Sequence, residues 1–177
     1  ALPISEAVSP NLLIDDILNE FPIINKYANI QTKQVMNKLS EDIIPNDWII
    51  LAKEIKKEIE SGVDGIVVTC GTDTMVYIAS SIAFMIETPI PIVFTGSQRS
   101  SDRPSSDNYM NLVCSLFTAM SDISEVTIVM HATTSDDYCY VHRAVKTKKM
   151  HTTKRSTFRS INTNPIAKVY FETGEII

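Results

Sequence analysis

A threonine, an aspartate and a lysine are the residues of this chain whose types could do covalent chemistry. Thr72 and Asp73 lie in Cys70-Gly71-Thr72-Asp73-Thr74-Met75, directly after a short apolar run, and Lys149 lies far downstream in a basic stretch. A threonine hydroxyl is a weak nucleophile until a base takes its proton, and a lysine desolvated among neighbours can be that base. An adjacent carboxylate can orient the lysine or bind a substrate amino group. Thr72, Asp73 and Lys149 therefore form a candidate hydrolytic set, provided the fold brings them together. Ser40-Glu41 and the long polar loop from Ser97 to Ser106 are two further polar loops that follow predicted strands and so lie on the same edge of the sheet. Simpler roles stand beside these. Asp73 or Thr74 can be a helix N-cap, and Lys149 can belong to a solvated charge run or a phosphate-contacting patch.

The elements around Thr72 read as strand, tight turn and helix. Gly65-Ile66-Val67-Val68 is the strand, and Met75, Ile78, Ala79, Ile82, Ala83 and Ile86 recur at the spacing of one buried helical face. Turns at the carboxyl ends of strands are where open α/β sheets bind ligands. Upstream, residues 1–10 have no strand pattern and read as the middle of a loop. Ser9-Pro10 then predicts a helix start, with a helix to about Glu20 that buries Leu13, Ile14, Ile17 and Leu18. Residues 28–37 predict a strand with Ile30, Val35 and Met36 as its apolar members. A helix from about Asn46 presents Trp48, Leu51, Ile55 and Ile59 on one face and ends at Gly62, a left-handed C-cap. A strand over 91–95 follows, then a helix from about Asp107 burying Tyr109, Leu112, Val113, Leu116, Phe117 and Met120, then a strand over 126–130. This β-α-β-α-β-α-β order predicts an α/β fold with a parallel sheet and right-handed crossovers. Beyond residue 131 the pattern is irregular and basic, with Ile166 to Tyr170 as a final edge strand.

Composition excludes several classes. A net charge of −5 does not mark a nucleic-acid binder, although seven of the sixteen Lys and Arg residues fall between Arg143 and Arg159. Cys70, Cys114 and Cys139 form no CxxC pair, and His131, His142 and His151 lack the spacing of a zinc pair. No disulfide framework and no metal site are expected, and a reducing cytoplasmic setting fits. No apolar run is long enough to span a membrane. The five glycines make neither GxGxxG nor GxxxxGK[ST], and no GxSxG occurs, so no cofactor-binding residues are expected.

Taken together, these segments resemble the L-asparaginase family. Cys70-Gly71-Thr72-Asp73-Thr74-Met75 is similar to that family's HGTDTM motif. Ser40-Glu41-Asp42, followed by Trp48, is similar to its substrate-binding loop, and Lys149-Met150-His151-Thr152-Thr153 with Phe158 to its catalytic-lysine segment. The loop from Gly96 to Asp107 and the segment from Arg155 to Asn162 resemble the branch formed by the D subunit of archaeal glutamyl-tRNA(Gln) amidotransferase. The resemblance implies a Rossmann-like parallel sheet flanked by helices, as in the N-terminal domain of asparaginases. It also implies Thr72 as one of two catalytic threonines, Asp73 as its partner and a substrate contact, and Lys149 as the relay base. Ser40 and Glu41 would contact the carboxylate and amino ends of an amide substrate, glutamine or asparagine. Further implications are a homodimer, a partner E subunit that carries the ATP and magnesium chemistry, and tRNA(Gln) met through the complex.

Three departures accompany the resemblance. No TGG occurs in this chain, whereas the family's first catalytic threonine sits in a TGGT motif; the family's usual histidine before the glycine is Cys70; and a C-terminal domain would begin beyond Ile177. The chain is thus expected to be the central part of the larger domain. Residues 1–164 would belong to the α/β domain and 165–177 to its last strand and the start of a linker. Alone it is expected to be inactive or nearly so. A free-standing L-asparaginase is the nearest alternative. A non-catalytic relative that contacts tRNA or a phosphate ligand through Lys146, Lys148 and Lys154 is another.

Overall fold

The computed structural model describes residues 26–99 and 105–177; the helix expected over about 10–20 lies outside the described residues. We label the helices α1 (Pro45–Ser61), α2 (Met75–Met85) and α3 (Asn108–Ala119). The strands are β1 (Ile66–Thr69), β2 (Ile92–Thr95), β3 (Val126–His131), β4 (Tyr138–Arg143), β5 (Thr147–Lys149), β6 (Phe158–Ser160) and β7 (Ala167–Tyr170). One five-stranded sheet has the order β1-β2-β3-β4-β7, and β5 and β6 form a separate hairpin. The expected parallel pairing holds for β1, β2 and β3, each joined to the next through a helix. The sheet is nevertheless mixed, because β4 runs antiparallel to β3, and β7 antiparallel to β4. A short connection of 132–137 allows that reversal, whereas a parallel return needs a longer crossover.

The sheet is covered on both faces, and alternate strand residues feed two cores. Ile92, Phe94, Ile128 and Met130 face Leu51 and Ile55 of α1 and Met75, Ile78 and Ile82 of α2. Val93, Val129, Val141 and Val169 face Met110, Cys114 and Ala119 of α3. Helix α1 begins at Pro45 in its first turn, with the Asp47 carboxylate accepting from the Ile44 amide at 2.9 Å. It ends at Gly62, whose φ of 88° is the left-handed C-cap expected there.

Three expectations fail. Among the described residues, 28–37 form no strand, and Val35 and Met36 both pack on the α1–α2 core instead of alternating. Lys33 on this segment pairs with Glu54 and Glu58 of α1 at 2.8 and 2.9 Å. Met120 is exposed, because α3 turns Met110, Asn111, Cys114 and Ser115 inward as well as Leu112, Val113 and Leu116. Two polar members of that face are satisfied within the helix, Ser115 bonding the Asn111 carbonyl at 2.6 Å and Thr118 the Cys114 carbonyl at 2.9 Å. Finally, the basic stretch beyond residue 131 is ordered as β4 and the β5–β6 hairpin.

On β4, Tyr138, Tyr140 and His142 share the face opposite Cys139 and Val141. His142 is buried, with Nδ1 2.9 Å from Ser160 Oγ of β6 and Nε2 without a partner among the described residues. Burial pushes its pKa down to about 4, because the charged imidazolium would be poorly solvated there.

Candidate active site

The backbone brings the ends of β1 and β2 together before any side chain is considered. The Cys70 amide bonds the Thr95 carbonyl at 3.0 Å, continuing the parallel ladder one residue past β1. Gly96 then sits so close to the Cys70 carbonyl that a Cβ would strike it, and would also lie 3.0 Å from Met75 Cε. Gly71 gives similar room to Ser40, whose Cβ would be 2.6 Å from a Cβ placed on that glycine. These two glycines let three chain segments converge around Thr72.

Thr74 occupies the N-cap position of α2, and its carbonyl accepts from the Tyr77 and Ile78 amides. Its hydroxyl does not cap the helix. It donates to the Ser40 carbonyl at 2.8 Å, which fastens the Ser40–Asp42 turn to the start of α2. Ser40 is buried and Glu41 exposed, with Ser40 Oγ 3.3 Å from Glu41 Oε2. Asp73 spends its carboxylate on Lys149. The simple capping role therefore falls to neither side chain.

Lys149 reaches the turn from the end of β5. Its Nζ is 2.8 Å from Thr72 Oγ1 and 2.7 Å from Asp73 Oδ1. The Lys149 side chain is 11% exposed and that of Asp73 64%, so the pair spans the boundary between protein and solvent. Strand alternation separates Lys149 from its basic neighbours. Lys149 pairs in register with buried Phe158, whereas Lys148 lies opposite Arg159 and both are exposed. Lys146 and Lys154 are also exposed. Cys70 is half-buried with its side chain against the α1–α2 core, and burial pushes its thiol up to about 12. It is therefore a neutral packing group and a poor nucleophile.

Sequence reasoning missed a residue in direct contact with Thr72. The Thr72 hydroxyl donates to Gln98 Oε1 at 2.8 Å, and Gln98 Nε2 donates to the Lys154 carbonyl at 3.1 Å. Behind it lies a polar network. Fully buried Asp107 accepts from the amides of Gln98 and Arg99 and from Asn111 Nδ2. Asn111 also donates to the Gly96 carbonyl at 2.9 Å, and its oxygen meets the His131 amide at 3.0 Å and His131 Nδ1 at 2.6 Å. His131 Nε2 lies 2.9 Å from Asp136, which Arg155 approaches at 3.2 Å; Arg155 also donates to the Ser105 carbonyl. The signals in the sequence were the polar loop from Ser97 to Ser106, which holds Gln98 without marking it out, and the placing of Asp107 at a helix start. Among the described residues, no group of three or more His, Cys, Asp or Glu side chains is placed to hold a metal. No described helix is long and apolar enough to cross a membrane.

A profile described as "Asparaginase, N-terminal" matches residues 3–176. The chain belongs to the asparaginase family. Among asparaginase-family structures, it is similar to a probable cytoplasmic L-asparaginase from Campylobacter jejuni, with a TM-score of 0.85 at 26% identity over 96% of this chain and 52% of that one. The thermostable L-asparaginase from Thermococcus kodakarensis gives a TM-score of 0.80 at 29% identity, over 97% of this chain and 49% of that one. Among curated relatives it is 52% identical over 170 residues to the D subunit of glutamyl-tRNA(Gln) amidotransferase from Methanosarcina mazei, covering 96% of this chain. It is 52% identical over 163 residues to the protein of the same name from Methanosphaera stadtmanae, covering 92% of this chain. The chain spans 40% and 37% of the length of those two relatives.

Proposed function

We propose that Thr72, Asp73 and Lys149 are part of an amidohydrolase centre. In the whole protein it would release ammonia from the side-chain amide of glutamine, for conversion of Glu-tRNA(Gln) to Gln-tRNA(Gln) in the cytoplasm. One observation carries the chemistry: Lys149 Nζ stands within hydrogen-bond reach of both the Thr72 hydroxyl and the Asp73 carboxylate. In the proposed step Lys149, as an amine, takes the Thr72 proton, and Asp73 holds the ammonium that results. The Lys149 ammonium returns that proton to the amide nitrogen as the carbon–nitrogen bond breaks, so that ammonia leaves and an acyl ester remains on threonine, which water then hydrolyses. A second threonine, supplied by the family's TGGT strand, would share this work. Ser40 and Glu41, beside the turn, would bind the carboxylate and amino ends of the substrate, and Asp73 would share the amino group.

The choice of glutamine is supported by the relatives at about half identity, which are named as the D component of the amidotransferase. With it come the expected homodimer, an E subunit carrying the ATP and magnesium chemistry, and tRNA(Gln) bound through that complex. A free-standing L-asparaginase is the second reading, favoured by the likeness to two L-asparaginase structures at lower identity. Ammonia release from glutamine and from asparagine separates the two, measured for the whole protein with and without the E subunit and Glu-tRNA(Gln). Glutamine turnover that rises on adding both supports the amidotransferase role. Asparagine turnover indifferent to them would replace it with the asparaginase reading.

A further inference from the structure

We infer that Gln98 is a positioning residue for the Thr72 hydroxyl, a role that rests on the proposed centre and adds a residue to it. A hydroxyl has one proton to give and two lone pairs to accept with. Lys149 Nζ, donating at 2.8 Å, takes one lone pair of Thr72 Oγ1, and the single proton goes to Gln98 Oε1, also at 2.8 Å. Thr72 is buried, so water does not readily replace either partner. Gln98 cannot turn its amide over without loss. Its Nε2 donates to the Lys154 carbonyl, and a flipped amide would set one carbonyl oxygen against another. The residue is also held from behind, its backbone amide bonded to both oxygens of buried Asp107 at 3.0 and 3.1 Å. Gln98 is thereby fixed at its amide oxygen, its amide nitrogen and its backbone.

The consequence concerns where the Thr72 proton rests. With Gln98 as acceptor, Oγ1 turns a lone pair toward Lys149, and the arrangement suits the ammonium. To react, the hydroxyl rotates its proton from Gln98 to the lysine amine while Oγ1 stays between the same two groups. Gln98 thus sets both the position of the oxygen and the direction in which its proton rests. Asp73 is the one carboxylate in ion-pair reach of Lys149 among the described residues, so a second negative charge at position 98 would be felt directly.

The test compares Gln98→Met with Gln98→Glu in the whole protein, with Thr72→Ala as the reference, by pH profiles of glutamine turnover. Methionine keeps the length and removes the acceptor. It should lower kcat about tenfold or more, leave KM within about twofold, and move the acid limb of the profile to lower pH. Glutamate keeps an acceptor and adds charge. It also sets a carboxylate oxygen against the Lys154 carbonyl, so kcat should fall, but by less than in Gln98→Met, and the acid limb should move to higher pH. A Gln98 that merely staples its loop to Lys154 would make both variants fall alike with no movement of the limb, and that result overturns the inference. So does a Gln98→Met variant with parental kcat. Should Gln98→Met fail to fold, the upward movement of the limb in Gln98→Glu decides alone. Should Thr72→Ala keep full activity, it is the proposed centre that fails, whatever position 98 does.

Discussion

Replacing Asp107 by alanine should cost the fold about 3–5 kcal/mol and abolish the site with it. The carboxylate is fully buried and accepts from three separate donors: the Gln98 amide at 3.0 Å, the Arg99 amide at 2.9 Å and Asn111 Nδ2 at 3.0 Å. A buried donor stripped of its acceptor costs about 1–3 kcal/mol. Three such donors give roughly 3–9 kcal/mol, from which two offsets are taken. Asn111 Nδ2 keeps its bond to the Gly96 carbonyl, and the vacated space is polar enough for a water to recover part of the rest. Asp107→Asn should cost less, about 1–3 kcal/mol, since its oxygen can serve the two backbone amides while its NH2 meets only the Asn111 donor. Urea denaturation of the whole protein followed by circular dichroism measures both. A loss below about 0.5 kcal/mol for alanine would refute the reasoning, because it would mean the three donors find equal partners elsewhere.

Two more perturbations follow from the same geometry. His142 has its pKa lowered from an ordinary value near 6.5 to about 4 by burial, so between those values the unfolded chain binds the proton that the folded chain refuses. Stability is therefore full above about pH 6.5 and falls progressively toward pH 4, by about 3 kcal/mol in all. Unfolding free energies at pH 7 and 4.5 should diverge in the parent and less so in His142→Gln; parallel curves would contradict this. Gly96→Ala should cost about 1–3 kcal/mol by overpacking against the Cys70 carbonyl and Met75. It should also slow turnover by moving the Cys70–Thr72 turn. A variant with unchanged melting temperature and turnover would show that the turn yields freely.

The repeating units of the fold were legible because each announces itself locally. The face from Met75 to Ile86, the C-cap at Gly62 and the short apolar strands are patterns of a few residues, and the structure has them. Strand β4 was not legible: Tyr138, Tyr140 and His142 look irregular until β3 and β7 supply partners for the alternate residues. The segment over 28–37 misled in the opposite way, carrying apolar residues that meet the core without pairing to another strand among the described residues. At the site, the Thr72-Asp73 turn stood out because polar residues crowd the end of an apolar strand. Lys149 could be told from Lys146, Lys148 and Lys154 only through the resemblance; alternation across a three-residue strand was too short to read. Gln98, Asp107, Asn111 and His131 stayed hidden because each acquires its role through bonds to residues distant in sequence. Buried polar residues on α3 also look like interruptions of a helical face until their partners are seen.

Ammonia release from glutamine by the whole protein, comparing the parent with Lys149→Met, tests the proposed centre most directly. Methionine keeps the unbranched stem and removes the basic group bonded to both Thr72 and Asp73. The account predicts a fall in kcat of about 10²–10⁴-fold with little change in melting temperature. A Lys149→Met protein that turns over glutamine within a few-fold of the parent would contradict it, and the catalytic base would have to be sought elsewhere.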